Sequence, residues 1–380
     1  MNITAYLDNS ATTKVCDSAV EAINNAIRND YFNPSAVYAP AVDVMRQVRE
    51  AREEILRAVK AKGAEVYFTS GGTESNNLAI LGTEENLRVK KGFACSAVEH
   101  PSVKMPFDYL GQKGCTLHTI KVNRFGSFDL DDLAEIAKQG LSLVSVMQVN
   151  NETGAITPVE QIRKIIDDDV ILHVDGVQGF LRDPFDMKYA DLYTLSGHKI
   201  HAPKGIGALV ASNRVRLHAR QMGGGQQQDI RSGTENTPGI LALRAAIREF
   251  GEDTEARERM MRLKLKLASQ ITAAIPQAVI NGPEPSQGAP HIINISFPGM
   301  RGEVMLHALE AKGVLVSTGA ACSAKKKNPS ATLLAMGLSR EIADSAIRFS
   351  LSRFTTDNEI DTASQAVADI YSALVHYKRS

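Results

Sequence analysis

The stretch Val170–Lys199 reads V-I-L-H-V-D-G-V-Q-G-F-L-R-D-P-F-D-M-K-Y-A-D-L-Y-T-L-S-G-H-K. It holds two short apolar runs, Val170–Val174 and Asp191–Leu195, each closed by polar and turn-forming residues. Runs of this length bounded by such residues read as buried strands. Outward from them the same grammar recurs in Glu65–Thr69, Phe93–Val98, Leu141–Val149 and Gly207–Val210. Amphipathic stretches lie between or after these runs, and the pattern predicts helices over Ser75–Gly82, Leu130–Lys138, Val159–Asp167 and Pro238–Phe250. Strands alternating with helices predict an α/β fold built on a parallel sheet. After Gly251 the composition shifts to a highly charged stretch that predicts a long helix to about Ala274, followed by the Pro/Gly-rich segment Gly282–Pro290. Farther on, His291–Phe297 and Val314–Ser317 read as strands and Arg301–Ala311 as a helix. The expected organisation is a large domain over 14–251 and a smaller C-terminal α+β domain over 252–380, joined by the N-terminal segment 1–13.

A chain of 380 residues is long enough for a sizeable core. Its 43 Lys+Arg and 43 Asp+Glu cancel, which argues against a long-range basic field for nucleic acid or an anionic membrane. No run approaches the ~20 apolar residues of a membrane helix, and Met1–Thr13 lacks the pattern of a leader, so a cytoplasmic protein is expected. Cys16, Cys95, Cys115 and Cys322 are far apart, which suggests neither a disulfide framework nor a zinc site.

The chemistry collects after the strands. Gly71-Gly72-Thr73, Glu99-His100, Asn150-Asn151, Asp175-Gly176 and Ser196-Gly197-His198-Lys199 each follow one apolar run. In an open parallel sheet, ligands sit beyond the carboxyl ends of the strands, so these groups can converge. The glycine turn opening a helix suits a phosphate but matches neither dinucleotide nor P-loop spacing; taken alone it reads first as a strand-to-helix turn capped by Thr73. Asp175 and Lys199, 24 residues apart, are the two groups that pyridoxal phosphate chemistry asks of a protein: a partner for the pyridinium nitrogen and an amine that bonds the cofactor.

The chain resembles the cysteine desulfurases of the NifS/IscS-like kind, in the class V aminotransferase superfamily of pyridoxal phosphate fold type I. The residues that carry the resemblance run from L-D-N-S-A-T-T (Leu7–Thr13), N-P-S (Asn33–Ser35) and T-S-G-G-T-E-S-N-N (Thr69–Asn77) through E-H-P-S-V (Glu99–Val103) and V-N-N-E-T-G (Val149–Gly154). They continue in V-D-G-V-Q (Val174–Gln178), S-G-H-K (Ser196–Lys199), R-S-G-T-E-N (Arg231–Asn236), S-T-G-A-A-C (Ser317–Cys322) and I-R-F-S-L-S-R-F-T (Ile347–Thr355). The resemblance implies a mostly parallel seven-stranded sheet between helices in the large domain. It implies that Lys199 bonds the cofactor, that Asp175 faces its ring nitrogen and Gln178 its hydroxyl, and that His100 stacks on the ring and shuttles protons. Gly72, Thr73, Ser196 and His198 would hold the phosphate, with Thr234 reaching it from the neighbouring subunit of a homodimer.

Arg348 would grip the substrate carboxylate bidentately, a pairing that lysine reproduces poorly, with help from Asn150 and, as a weaker candidate, Asn33. Cys322 would accept sulfur from L-cysteine as a persulfide and pass it to a protein acceptor, in iron–sulfur cluster assembly or in tRNA or cofactor thiolation. Small residues and Lys325–Lys327 around it favour a reactive thiolate, and those three lysines are unusual for the family and leave the acceptor open. No resident metal is expected; Cys322 is the one candidate to share a transferred iron–sulfur cluster. The competing readings are a selenocysteine lyase or an aminotransferase on the same scaffold, and a non-catalytic binding subunit. Aminotransfer needs no thiol, and the binding subunit needs none of the catalytic groups present here.

Overall fold

The computed structural model describes residues 2–84, 92–319 and 329–377. Its strands, in chain order, are β1 (Ala5–Tyr6), β2 (Ala64–Thr69), β3 (Gly92–Ser96), β4 (Leu117–Ile120), β5 (Leu141–Met147) and β6 (Ile171–Asp175). They continue with β7 (Leu192–Ser196), β8 (Gly207–Ser212), β9 (Val279–Asn281), β10 (Ile292–Ser296), β11 (Val314–Leu315) and β12 (Ala346–Ser350). Seven of them form one sheet in the order β2-β8-β7-β6-β5-β3-β4. The pairs from β7 to β4 are parallel, and β8 runs antiparallel to both its neighbours. Helices on both faces bury the central strands; β5 and β7 are buried at every residue, which is why they read as mostly apolar runs interrupted only by serine and threonine. The register sets Met147 beside Asp175 and Asp175 beside Thr194, so the carboxyl ends of β5, β6 and β7 open onto one crevice.

The observed elements extend and correct the sequence reading. The helix expected from Ser75 starts at Gly72, and the one expected at Pro238–Phe250 spans Thr237–Glu252. Gly251 therefore lies inside that helix, and the long charged helix begins only at Ala256, after a break at which Asp253 accepts from Arg259 at 2.6 Å. Helices Asp17–Arg28 and Ala39–Ala58 and strand β4 were not legible in advance. β4 is an edge strand whose Leu117 and Thr119 are exposed, so it lacks the apolar run that marks its neighbours.

Apolar residues gather in separate clusters. One runs from Cys16 to Phe250 around the large sheet, and another joins Ala5 and Leu7 to residues between Leu263 and Ile370. The second surrounds the antiparallel sheet β12-β10-β9 and the parallel pair β1-β11. Val149 packing with Ala289 and Ile292 connects the two regions. Among the described residues no helix is long and apolar enough to cross a membrane.

Candidate active site

A cavity of about 330 Å³ lies at the carboxyl ends of the central strands. Gly72, Thr73, His100, Asp175, Gln178, Ser196, His198, Lys199 and Arg348, all singled out from sequence, line it. The glycine turn precedes helix Gly72–Glu84, whose first residues, Gly72 and Thr73, line the same cavity as Ser196 and His198; the first N–H groups of a helix have no partner within it and suit an anion. A Cβ on Gly72 would stand 2.6 Å from Val177 Cγ2, so only glycine lets this turn approach the loop after β6. Glu74 accepts from the Ser70 N–H at 2.7 Å and pairs with Arg231 at 2.8 Å, fixing the outer side of the turn.

Lys199 ends a single helical turn, Gly197–Lys199, directly after β7. Its Nζ donates to the carbonyls of Ser10 and Ala11 at 2.6 and 2.7 Å, and Arg182 donates to its backbone carbonyl. Buried Arg182 also donates to Gln178 Oε1 at 2.9 Å, orienting the Gln178 amide, whose Nε2 donates to the Ser10 carbonyl at 2.9 Å. Burial, with Lys199 and Lys204 near it, pushes His198 down to about 4, so its ring is neutral at pH 7.

Asp175 is 5% exposed, with Oδ1 accepting from the Val177 N–H at 3.0 Å and Oδ2 from Asn76 Nδ2 at 2.8 Å. His100 caps helix Pro101–Gln112 through Nδ1, which accepts from the Ser102 N–H at 3.1 Å. Burial and then Lys199 lower its pKa, against the pull of Asp175. Beside it, burial raises Glu99 to about 8. Arg348, 3% exposed on β12, donates to Asp8 Oδ1 at 2.8 Å and to the Asn151 carbonyl at 2.9 Å, while its Nε is buried without a partner.

Other residues singled out from sequence lie elsewhere. Asn150 does not line the cavity: its Oδ1 accepts from the N–H groups of Glu152 and Thr153 and its Nδ2 donates to the Val98 carbonyl, so the amide is committed to the turn after β5. The adjacent Asn151 lines the cavity instead. Asn33 is exposed, its Oδ1 turned back onto the Ser35 N–H at 3.0 Å, and Thr234 is exposed outside the cavity of its own chain. Cys322 lies outside the described residues; Gly319, three positions earlier, lines the cavity. Asp8, Asn76 and Ser102 were missed, because the first pairs with Arg348 and the other two act through contacts that no local pattern encodes. An amine, a carboxylate, an imidazole, an anion cradle and a guanidinium thus share one cavity, a set that suits an anionic aromatic group together with a carboxylate-bearing substrate.

The family model for class V aminotransferases matches residues 5–362, and the chain belongs to that family. Among curated relatives, a protein of Nostoc sp. strain PCC 7120 named cysteine desulfurase is 39% identical over 373 residues, covering 97% of this chain and 93% of that one. A solved NifS-like protein superposes with a TM-score of 0.90 at 31% identity, covering 98% of this chain and all of the other. Another solved structure, SspA in complex with cysteine, matches with a TM-score of 0.79 at 27% identity, over 93% of this chain and all of that one.

Proposed function

We propose that the chain is a pyridoxal phosphate-dependent cysteine desulfurase that converts L-cysteine to L-alanine and transfers the sulfur to Cys322 as a persulfide for a protein acceptor. The observation that carries the reading is the convergence of Lys199, Asp175, His100 and Arg348 on one cavity in a chain 39% identical to a named cysteine desulfurase. The residues fit the cofactor: a volume of about 330 Å³ accommodates a small ring, and the Gly72 turn closes where a Cβ would clash. Asp175 keeps its carboxylate among N–H donors at the cavity wall. When bound, the cofactor supplies an electron sink for the substrate carbanion.

The chain's own groups do the rest. Thr73, Ser196 and neutral His198 present donors to the phosphate end. Lys199 offers its amine, held between two carbonyls, and carries protons to and from the substrate carbon. Arg348 orients the substrate carboxylate; Asp8 and the Asn151 carbonyl fix two of its N–H directions, and the bare Nε remains. Cys322 attacks the substrate sulfur as a thiolate; the C–S electron pair passes to carbon, which is protonated, giving alanine and Cys322–S–SH.

The reading extends to a homodimer in which Thr234, exposed and outside its own cavity, serves the partner's phosphate site. It also includes the division into 14–251 and 252–380, which the separate apolar clusters support, and a place in the cytoplasm. The test is alanine and sulfide release from L-cysteine, with and without reductant. Wild type should release alanine and gain one sulfur on the Cys322 peptide. Cys322→Ala should bind L-cysteine, seen in its visible spectrum, yet release none. Wild-type-like alanine release from that variant, or the added sulfur on Cys16, Cys95 or Cys115, overturns the mechanism.

A further inference from the structure

Asn76 sits on helix Gly72–Glu84 beneath the cavity, 1% exposed. One Nδ2 group donates twice, to Asp175 Oδ2 at 2.8 Å and to Ser102 Oγ at 2.8 Å. The amide cannot be turned over, because that would set its oxygen against a carboxylate oxygen. Ser102 Oγ, accepting from Asn76, directs its own hydrogen to His100 Nδ1, 2.8 Å away. The Ser102 backbone N–H meets the same nitrogen at 3.1 Å. A ring nitrogen facing two donors carries no proton, so the imidazole proton resides on Nε2. Asn76 Oδ1 is buried with no partner, a cost that a residue chosen only for packing would not carry.

We infer that Asn76 is a positioning residue that joins the two sides of the site: one N–H holds the Asp175 carboxylate, and the other polarises Ser102 so that His100 is kept as the neutral Nε2–H imidazole. His100 then presents a donor, not a base, in the resting site. Gaining a second proton requires Ser102 to give up its role as donor to Nδ1. The charged and titratable groups around His100 are Asp175, Lys199, His198 and Arg348 in the cavity, Glu99 beside it, and Arg220 with Tyr109 on the outer side. Changing Asn76 removes one of the two hydrogen bonds to Asp175, and the Val177 N–H keeps the other, so the Ser102→Ala background separates the Ser102 relay from any effect that travels through Asp175.

The relay is read directly, without turnover, by ring-¹⁵N histidine spectra of the full-length holoprotein, with His100 assigned by its loss in His100→Gln. Wild type should show a bare Nδ1 and a protonated Nε2. In Asn76→Leu, and equally in Asn76→Ala, Ser102 Oγ becomes free to accept from an Nδ1–H. The His100 midpoint should then rise by about one pH unit, the difference between a neutral and a charge-assisted hydrogen bond. In a Ser102→Ala background the same Asn76 change should add nothing, while Ser102→Thr should keep the wild-type tautomer. An unchanged tautomer and midpoint in both Asn76 variants, whatever their melting temperatures, overturns the inference, as does an undiminished shift in the Ser102→Ala background. The desulfurase assignment stands or falls separately, on alanine release.

Discussion

Replacing Arg348 by alanine separates substrate binding from the rest of the site. The guanidinium has five N–H groups; one is used by Asp8 and one by the Asn151 carbonyl, which leaves Nε and the remaining hydrogens for a carboxylate. Two charge-assisted hydrogen bonds to the substrate, at about 1.5 kcal/mol each as a lower figure, amount to roughly 100-fold in affinity. KM for L-cysteine in Arg348→Ala should therefore rise about 100-fold or more. Arg348→Lys, which keeps charge but loses the planar fork, should fall between the variant and wild type. Asp8 has a side chain 22% exposed and can turn to water, so the loss of its ion pair with the buried Arg348 should cost the fold less than the ~3–5 kcal/mol of a fully buried pair. The assay is steady-state alanine release, paired with the visible spectrum of the resting enzyme. A KM that stays constant while kcat falls would show that Arg348 acts in the chemistry and not in binding. A collapsed resting spectrum would show that it is structural.

Borohydride reduction of the holoprotein followed by peptide mapping should place the cofactor label on Lys199; label on Lys204 would move the site. Gly72→Ala should lose cofactor affinity, because its Cβ meets Val177 Cγ2 at 2.6 Å, and Val177→Ala should restore part of it by opening that contact; no rescue would show that the turn's own backbone is at fault. Glu99 tests linkage. Its carboxyl is raised to about 8 in the fold, above the range of the unfolded chain, so its contribution is fully present below about pH 4.5 and is lost as pH rises through 8. Glu99→Gln keeps an oxygen for the Ser96 hydroxyl and the Met147 N–H and places an amide where Oε2 has no partner. That variant should melt higher than wild type at pH 8 and the same at pH 4.5; a gap independent of pH would refute the assignment.

The parts of this fold that were legible are those whose burial leaves a mark in one dimension. β5, β6 and β7 are covered on both faces and so read as apolar runs, and their polar terminators fall at the crevice because all three run the same way. Helix Ala39–Ala58 escaped because its buried positions include small Ala41 and Ala51 and charged Glu54, which accepts from Arg244 and Arg248 at 2.9 and 2.8 Å. Within the site, the Asn150-Asn151 doublet shows the limit of reading by type: the two residues differ by one step along the turn, and the side chain of one is spent on the backbone while the other residue lines the cavity. Asn76 lies 26 positions from Ser102 and 99 from Asp175, and a polar residue inside a helix gives no sign of what it will meet.

The crossing of the N-terminal segment has a consequence for the order of assembly. Ala5 pairs with Val314, Asp8 with Arg348, and Asn9 with the Ser350 carbonyl, 341 positions away. Such distant contacts form late, since loop closure must precede any gain from them. At roughly 5–20 residues per second of synthesis, Asp175 and Lys199 leave the ribosome well before Arg348. The cofactor half of the cavity can thus mature while the carboxylate-gripping half has yet to be made, and nascent chains arrested before β11 should take up the chromophore yet show no spectral response to L-cysteine. A nascent chain of that length unable to hold the chromophore would mean that both halves mature together.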